Sequence, residues 1–335
     1  MTRIGIADVA QAAGVSEATV SRVVNNRGTV AAATRKAVEE AMRTVGYVRA
    51  HAGSLVMLVT PGLFDPFFAQ MADRIVAGLG LHGLRGVICS APAGGAQELD
   101  FGSAVIEAGA VGAIFVSASN TLENADPGVY RLLESRSVPY VCINGAAGGS
   151  HGPVLSTDDR LAAEMSVDHL WRLGHRRIGL IAGPRGNRPS DRRVDGFRAA
   201  MKARGAGTED APVARHEYSI EGGVSAASRL CEDPALTAIV AASDEMALGA
   251  VRSARWAGLQ VPADLSVVGY DDALPLEFFD PPLTSVRQPT ERIAAAVVQM
   301  LIGLIRGRQV DETELFFSPE LIVRSSTGPV PTADR

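Results

Sequence analysis

The sequence predicts a small all-α head of three helices followed by an α/β core of two parallel-sheet lobes. In the first fifty residues the apolar positions have helical spacing. From Leu55 onward, short β-rich runs alternate with amphipathic helical stretches, which is typical of parallel α/β sheets. The chain has 335 residues, 47% of them hydrophobic and 21% charged. It is therefore long enough for two or three globular units, each with a substantial core.

The first fifty residues contain the pattern of three short helices. Apolar residues at helical spacing begin at Ile6 and stop at Gly14, and a second apolar set follows Ser16, a common N-cap residue. A third amphipathic stretch covers 32–45 and ends before Gly46, a common C-cap residue. Two short helices that meet at a glycine turn, followed by a third, predict a helix-turn-helix head.

Charge is unevenly distributed along the chain. Residues 1–51 carry seven basic and four acidic side chains, a net charge of +3, whereas the remainder carries 25 basic and 33 acidic ones, a net charge of −8. A basic head favours a polyanionic partner, because each phosphate that it neutralises releases counterions.

The second predicted helix has side chains suited to reading DNA. Arg22 can bind guanine O6 and N7, Glu17 can accept from cytosine N4, and Ala18 can contact a thymine methyl group. We therefore expect these three residues to read bases in the major groove. The residues expected to contact the DNA backbone are Ser16, Thr19, Ser21, Asn25, Thr34 and Tyr47.

Residues 6–25, with the sequence IADVAQAAGVSEATVSRVVN, resemble the N-terminal signature of the LacI/GalR family of bacterial repressors, and further motifs of that family continue to the C-terminus. The resemblance implies a homodimeric, cytoplasmic transcription regulator that has no enzymatic activity, cofactor or membrane partner. Its implied partners are double-stranded DNA with a palindromic operator and a small-molecule effector.

The connector between head and core departs from the family pattern. Only thirteen residues separate Tyr47 from Pro61, whereas similar proteins have a longer connector with a hinge helix whose leucine enters the minor groove. Leu55 is either this hinge leucine or the first residue of a core strand, and we favour the strand. Gly53 also disfavours a helix here. We expect a weakened or altered hinge.

The core pattern predicts two similar lobes of four strands each. Strands are expected near 55–60, 86–90, 112–116 and 139–143, and then near 177–182, 213–218, 237–241 and 266–270. A turn near 156–160 separates the two sets, and a helix near 290–306 should return to the first lobe. This is a periplasmic-binding-protein-like architecture, with a cleft between lobes where strands end.

The expected domain boundaries follow from this reading. They are a helix-turn-helix domain over 1–48, a shortened hinge over 49–55 and an effector-binding core over 56–335. Within the core, the first lobe covers about 56–157 and 288–317, and the second about 158–287 and 318–335.

Strand-end residues are the candidates for effector binding. The resemblance places the following residues in the cleft: Asp65, Phe67, Phe68, Arg193, Tyr218, Ser243 and Asp271. An arginine, carboxylates and aromatic faces suit a polyhydroxylated ligand, so a carbohydrate is the expected effector.

Several of these positions have a structural alternative. For Phe67, Phe68 and Phe197, core packing competes with pocket lining, and Asp65 before a proline can simply begin a turn. For Asp244 and Asp272 we favour helix capping or hydrogen bonding between lobes over ligand contact.

Other motifs do not predict chemistry. The string GLGLHG at 78–83 matches a dinucleotide-binding pattern, but it follows a predicted helix rather than a strand. His169 and His175 lack a third metal ligand at a useful spacing. The three cysteines, which are far apart, are expected to be small buried hydrophobic residues. No segment reads as a membrane span or a signal peptide.

Three functions are compared on this basis. The first is an effector-responsive regulator that represses genes of carbohydrate uptake or catabolism. The second is a cytoplasmic sugar-sensing module whose short connector impairs operator binding. The third, an enzyme such as a hydrolase or kinase, has no supporting motif.

Overall fold

The structure of the protein is a computed structural model that describes residues 5–24, 30–45, 54–91, 97–146, 148, 150–273, 275–310 and 314–331. The predictions for Asn25, Tyr47 and residues 49–53 lie outside these ranges. In the part that is described, none of the helices combines the length and apolar character needed to cross a bilayer.

Helices and strands alternate through most of the described chain. The helices are α1 (Ile6–Ala13), α2 (Glu17–Val24), α3 (Ala32–Val45), α4 (Pro66–Gly80), α5 (Gln97–Glu107), α6 (Gly128–Ser135), α7 (Asp159–Arg172), α8 (Arg188–Ala203), α9 (Ile220–Leu230), α10 (Asp244–Trp256) and α11 (Thr290–Ile305). The strands are β1 (Ser54–Thr60), β2 (Leu84–Ser90), β3 (Ala110–Val116), β4 (Tyr140–Ile143), β5 (Val154–Thr157), β6 (Ile178–Ala182), β7 (Val213–Arg215), β8 (Ala238–Ala241), β9 (Ser266–Asp271), β10 (Thr284–Arg287), β11 (Glu314–Phe317) and β12 (Glu320–Ile322).

The head consists of α1, α2 and α3 around a small apolar core. Val9, Val20 and Val38, one from each helix, are fully buried in it. Gly14 ends α1 at a φ of 65°, a conformation that glycine adopts without a steric penalty. Ser16 caps α2, because its hydroxyl accepts a hydrogen bond from the Thr19 amide at 3.2 Å. The three helices are therefore fixed by local capping and by one shared apolar face.

The first lobe is built on a sheet with the strand order β11-β5-β4-β3-β1-β2, in which the neighbouring strands are parallel. Helices α4 and α11 pack against each other and cover one face, where Ile75, Val297 and Leu301 belong to one buried apolar cluster. Helices α5 and α6 cover the other face, where Phe115 packs on Tyr130 with ring centroids 4.6 Å apart. Burial on both faces explains the nearly continuous apolar runs of β1 and β3.

The second lobe has the strand order β12-β10-β9-β8-β6-β7, and only β12 pairs antiparallel to its neighbour among the described strands. Helices α7 and α8 cover one face and α9 and α10 the other. The chain passes between the lobes after β5, between β10 and α11, and after β11. The predicted fold class, a helical head on a core of two parallel-sheet lobes, is confirmed.

Some sequence expectations need correction. Ser156 and Thr157 were expected in a turn, but they end β5, whose partners β4 and β11 bury them. The described sheets each have six strands rather than four, because short strands pair at or near their edges. Tyr218 lies beyond the end of β7 at Arg215, in the loop before α9.

The motifs that were set aside have structural roles. In the string at 78–83, Gly78 and Gly80 lie in the last turn of α4, and Gly83 directly precedes β2. The His169 ring lies 2.8 Å from the Thr327 hydroxyl, and the His175 ring lies 2.9 Å from the Thr237 hydroxyl. Within the described ranges, no three His, Cys, Asp or Glu side chains are grouped so that they could hold a metal ion.

Candidate functional site

The exposed face of α2 carries the three residues expected to read bases. Glu17, Ala18 and Arg22 are exposed, while Val20, Val23 and Val24 of the same helix are buried against the head core. Packing therefore fixes which face of α2 is available to a partner, and that face presents a carboxylate, a methyl group and a guanidinium.

The residues expected at the DNA backbone are distributed around this face. The hydroxyls of Ser16 and Thr19 lie 2.9 Å apart at the start of α2. Ser21, further along α2, and Thr34, in the first turn of α3, are half-buried. Ser16, which caps α2, is exposed, and Thr34 lies on α3, which packs on the same apolar core of the head.

The hinge assignment of Leu55 is corrected by the sheet. Leu55 lies inside β1, where its register partners are Arg85 of β2 and Ala110 of β3. A residue paired on both sides in a sheet cannot enter a DNA groove without breaking that pairing. Leu55 is therefore a residue of a core strand, which is the favoured alternative, and not a hinge leucine.

The second candidate site is a small cavity where the two lobes meet. Asp65 and Pro66 line it from the first lobe, and Ser243, Asp244, Glu245, Asp271 and Ala273 line it from the second. The cavity encloses about 10 Å³, which is room for about one water molecule, whereas ligand pockets typically enclose roughly 300–1,000 Å³. Three predicted residues, Asp65, Ser243 and Asp271, thus meet in one place, in a nearly closed cleft.

Asp65 begins the helix that faces this cavity from the first lobe. Its carboxylate accepts from the Phe67 amide at 2.8 Å and so caps α4, whose first residue is Pro66. Burial raises the pKa of Asp65, although the Phe67 hydrogen bond and the charge of Arg193 oppose that shift. Asp65 therefore both caps the helix, as its turn alternative suggests, and lines the cleft.

Arg193 is held rigidly in a buried cluster at the base of the second lobe. Its Nε donates to Asp159 at 2.8 Å, its Nη1 donates to the Ala242 carbonyl at 2.6 Å, and its guanidinium lies 3.6 Å from the centre of the Tyr270 ring. The Tyr270 hydroxyl donates to the same Asp159 oxygen at 2.8 Å. Arg193 is only 7% exposed and Asp159 only 1%.

One oxygen in this cluster stands out. Asp159 Oδ2 is buried and has no hydrogen-bond partner within the described part of the chain. Burial raises the pKa of Asp159, while the adjacent guanidinium of Arg193 opposes the shift. Asp159 and Tyr270 were not recognised from the sequence as site residues. The available signal was their position, since Asp159 lies in the turn expected at 156–160 and Tyr270 ends the strand expected at 266–270.

Asp271 is linked to the point where the chain crosses between the lobes. Its carboxylate accepts from the Gln288 amide at 2.7 Å, and Gln288 accepts from the Thr157 hydroxyl at 2.5 Å. Asp271 has a φ of 110°, outside the ordinary range for an L-residue. Burial raises its pKa well above the usual value, and the nearby Asp65 and Asp244 add to the shift.

Ser243, Asp244 and Asp272 are engaged within the second lobe. The Ser243 hydroxyl caps α10 by accepting from the Met246 amide at 3.2 Å. Asp244 accepts from the Ser285 hydroxyl at 2.6 Å. Asp272 forms ion pairs at 2.7 Å with both Arg287 and Arg324. Helix capping and hydrogen bonding between lobes, the roles expected for Asp244 and Asp272, are corrected, because the described partners of both carboxylates lie within the second lobe. Asp244 also lines the cavity.

The aromatic predictions divide between core and cleft. Phe67 is 3% exposed and belongs to the first-lobe core, and Phe197 is fully buried in the second-lobe core, so neither ring is open to a ligand. The prediction that Phe67 contacts the effector is corrected for this reason. Phe68 is half-buried and packs edge-on against Phe67 at 5.2 Å. Tyr218 is half-buried and interacts electrostatically with Arg193.

Contacts across the cleft hold the lobes in this closed arrangement. The Glu123 amide of the first lobe donates to the Gly186 carbonyl of the second at 2.9 Å. On the other side, the Gln70 amide donates to the Ala273 carbonyl. Arg192 of α8 forms a bidentate pair with Glu314 of β11, with both distances 2.6 Å.

Comparison with known proteins connects both sites to one family. Residues 5–50 match the model of bacterial regulatory proteins of the lacI family, and residues 167–327 match that of a periplasmic binding protein-like domain. The HTH-type transcriptional regulator MalR of Streptomyces coelicolor is 41% identical over 335 residues, which is 97% of each chain.

Two solved structures are similar over nearly the whole chain. A complex of the transcriptional regulator CelR with cellobiose is 32% identical, with a TM-score of 0.74, covering 97% of this chain and 100% of that one. A lac repressor dimer bound to operator and the anti-inducer ONPF is 26% identical, with a TM-score of 0.74, covering 98% and 100%. Taken with the exposed face of α2 and the cleft between two parallel-sheet lobes, these likenesses establish that the chain belongs to the LacI family of DNA-binding transcriptional regulators.

Proposed function

We propose that the protein is a homodimeric repressor of carbohydrate uptake or catabolism genes, released from a palindromic operator when a small sugar binds the cleft between its lobes. It would act in the cytoplasm, where its operator is. The observation that carries this proposal is the exposure of Glu17, Ala18 and Arg22 on one face of a helix whose opposite face is buried.

The head would read one half-site of the operator. Arg22 would bind a guanine, Glu17 a cytosine and Ala18 a thymine methyl group in the major groove. A single head covers too few base pairs for high specificity, so two heads related by two-fold symmetry would read a palindrome. The lac repressor dimer bound to operator supports this arrangement.

The cleft would bind the effector through polar groups from both lobes. Asp65 of the first lobe and Asp271 of the second can accept hydrogen bonds from sugar hydroxyls, and Arg193 can donate to sugar oxygens. The CelR complex with cellobiose supports a carbohydrate. Because the cavity encloses only about 10 Å³, the lobes must separate before a ligand enters. Sugar and operator would then change each other's affinity by the same factor.

DNA binding is tested with the full-length protein and the palindrome upstream of its own gene, in gel shifts at several salt concentrations. We expect sequence-preferring binding whose affinity falls steeply with salt. Arg22→Ala should reduce the preference for the palindrome over a scrambled duplex by about tenfold or more. Lys36→Ala, which removes an exposed charge from α3, should weaken binding to both duplexes equally. Absence of sequence preference at low salt would refute the repressor function.

Effector binding is tested by thermal-shift screening of sugars. The true ligand should raise the melting temperature of the wild-type protein. Asp271→Asn and Arg193→Ala should reduce that rise, measured from each variant's own melting temperature, whereas Glu107→Gln, an exposed change at the end of α5, should leave it intact. If both cleft variants retain the full rise, the sugar does not bind in this cleft.

A second candidate function is a sugar-sensing module with impaired operator binding. The observation that favours it is the short connector, since β1 begins at Ser54, only seven residues after Tyr47. Under this alternative the sugars would still raise the melting temperature, but the gel shift would show no preference for the palindrome.

A further inference from the structure

The edge of the second lobe contains a cleft of arginines that is separate from the DNA-reading face and from the cavity between the lobes. Arg185, Arg198, Arg215 and Arg229 line it together with Val213 and Ala214, and the open cleft, including solvent at its mouth, encloses about 550 Å³. The four arginines come from the loop after β6, from α8, from β7 and from α9. Four separate elements thus direct positive charge into one depression beside the edge strand β7.

Among the residues that the structure describes, a carboxylate partner is found for Arg215 but not for the other three arginines. Arg215 donates to Asp191 at 2.6 Å and to the Gly183 carbonyl at 2.9 Å, which fixes its guanidinium. Arg185, Arg198 and Arg229 make no ion pair or side-chain hydrogen bond with any described residue. Their guanidiniums repel one another, so the cleft favours an anion that can bridge them.

The chemistry of the cleft selects among anions. A guanidinium presents its donors in a planar fork that matches two oxygens of a phosphate group. The apolar part of the lining consists of a valine and an alanine, which offer no aromatic face on which a base could stack. We propose that this arginine cleft binds a small phosphate-bearing metabolite as a second effector of the protein.

The cleft is connected by hydrogen bonds to the contact between the lobes. Asp191, the partner of Arg215, also accepts from the Gly186 amide at 2.9 Å. The Gly186 carbonyl in turn accepts from Glu123 of the first lobe at 2.9 Å. An anion that binds the fixed Arg215 and orders Arg185 beside it therefore stabilises the 183–187 loop in the position that closes the lobes. This regulatory consequence rests on the proposed function, whereas binding of the anion does not.

Binding is tested by isothermal titration calorimetry of the full-length protein with inorganic pyrophosphate and with inorganic phosphate, without divalent cations and at constant ionic strength. Pyrophosphate should bind saturably at one site per chain and about tenfold more tightly than phosphate, because it engages more of the four guanidiniums. Arg198→Ala and Arg229→Ala should each weaken pyrophosphate binding by about tenfold or more. Both side chains are exposed, so these variants should fold.

Arg131→Ala provides the matched control, because it removes an exposed arginine from α6 of the first lobe, outside the cleft. It should change the affinity by less than about twofold, since a distant exposed charge is screened by salt. Failure of both anions to bind saturably, equal affinity for the two, or equal losses in Arg131→Ala and Arg198→Ala would overturn the site. None of these measurements uses sugar or operator, so their failure is distinguishable from failure of the proposed repressor function.

The connection to the lobes is tested by amide hydrogen exchange. Pyrophosphate should slow exchange of the Glu123 amide, which is hydrogen-bonded to Gly186 across the cleft. Unchanged exchange at saturating pyrophosphate would show that the site does not act on lobe closure.

Discussion

Replacing Asp244 with asparagine should remove the part of the pH dependence of stability that comes from the ionisation of this carboxyl. Asp244 is 3% exposed and accepts from Ser285 at 2.6 Å, and its burial raises its pKa from 3.8 to about 7. In the unfolded chain the carboxyl ionises near its ordinary pKa, so above that pH the folded state retains a proton that the unfolded state has released. Stability is therefore lost as the pH rises from about 4 to about 7. The full loss is about 4 kcal/mol, from three pKa units at 1.36 kcal/mol each.

The Asp244→Asn variant keeps an acceptor for Ser285 but cannot ionise. Urea unfolding of both proteins, followed by fluorescence, should show the variant gaining roughly 3 kcal/mol relative to wild type between about pH 5 and pH 8. Both tryptophans, Trp171 and Trp256, lie in the second lobe and so report on the unit that contains Asp244. Glu107→Gln should leave the wild-type pH profile unchanged. If Asp244→Asn follows that profile as well, Asp244 is not protonated in the folded protein, and the reasoning is refuted.

Three further substitutions test a buried ion pair and the packing of the core. Asp159→Asn should destabilise the second lobe by about 3–5 kcal/mol, because it leaves Arg193 buried without its charged partner. A loss below about 1 kcal/mol in urea unfolding would mean that the ion pair is not formed. Gly223→Ala should cost about 1–3 kcal/mol, since a Cβ there would lie 2.3 Å from the Met246 carbonyl oxygen of α10. Gly80→Ala, where nothing lies within 4 Å of the new Cβ, should instead stabilise the folded protein by about 0.5–1 kcal/mol. Equal effects of the two alanine substitutions on the melting temperature would contradict the packing argument.

The helices of the head could be predicted from the sequence because their signals are local. A glycine at position 14 ends α1, Ser16 begins α2, and the valines that form the core recur at helical spacing. Each of these signals acts over four or fewer residues, so no tertiary contact is needed to read it. Central strands such as β3 and β6 could also be predicted, because each is a continuous run of apolar residues.

The short outer strands could not be predicted in this way. Strands β11 and β12 have four and three residues and are only partly buried, so they lack both a long apolar run and a clear alternation. They are strands because β5 and β10, more than thirty positions away in the chain, supply their hydrogen-bond partners.

By itself, the sequence determined the order of head and core, the face of α2 that is exposed and the strand ends where a ligand could bind. Only the tertiary structure decided that Leu55 is paired inside a sheet, that Phe67 is a core residue and that the cleft is nearly closed. It alone also brought Asp159 to Arg193 and four arginines to one sheet edge. The physical reason is that helix periodicity and capping act between neighbours in the chain, whereas charge pairing, desolvation and strand pairing act between residues that only folding brings together.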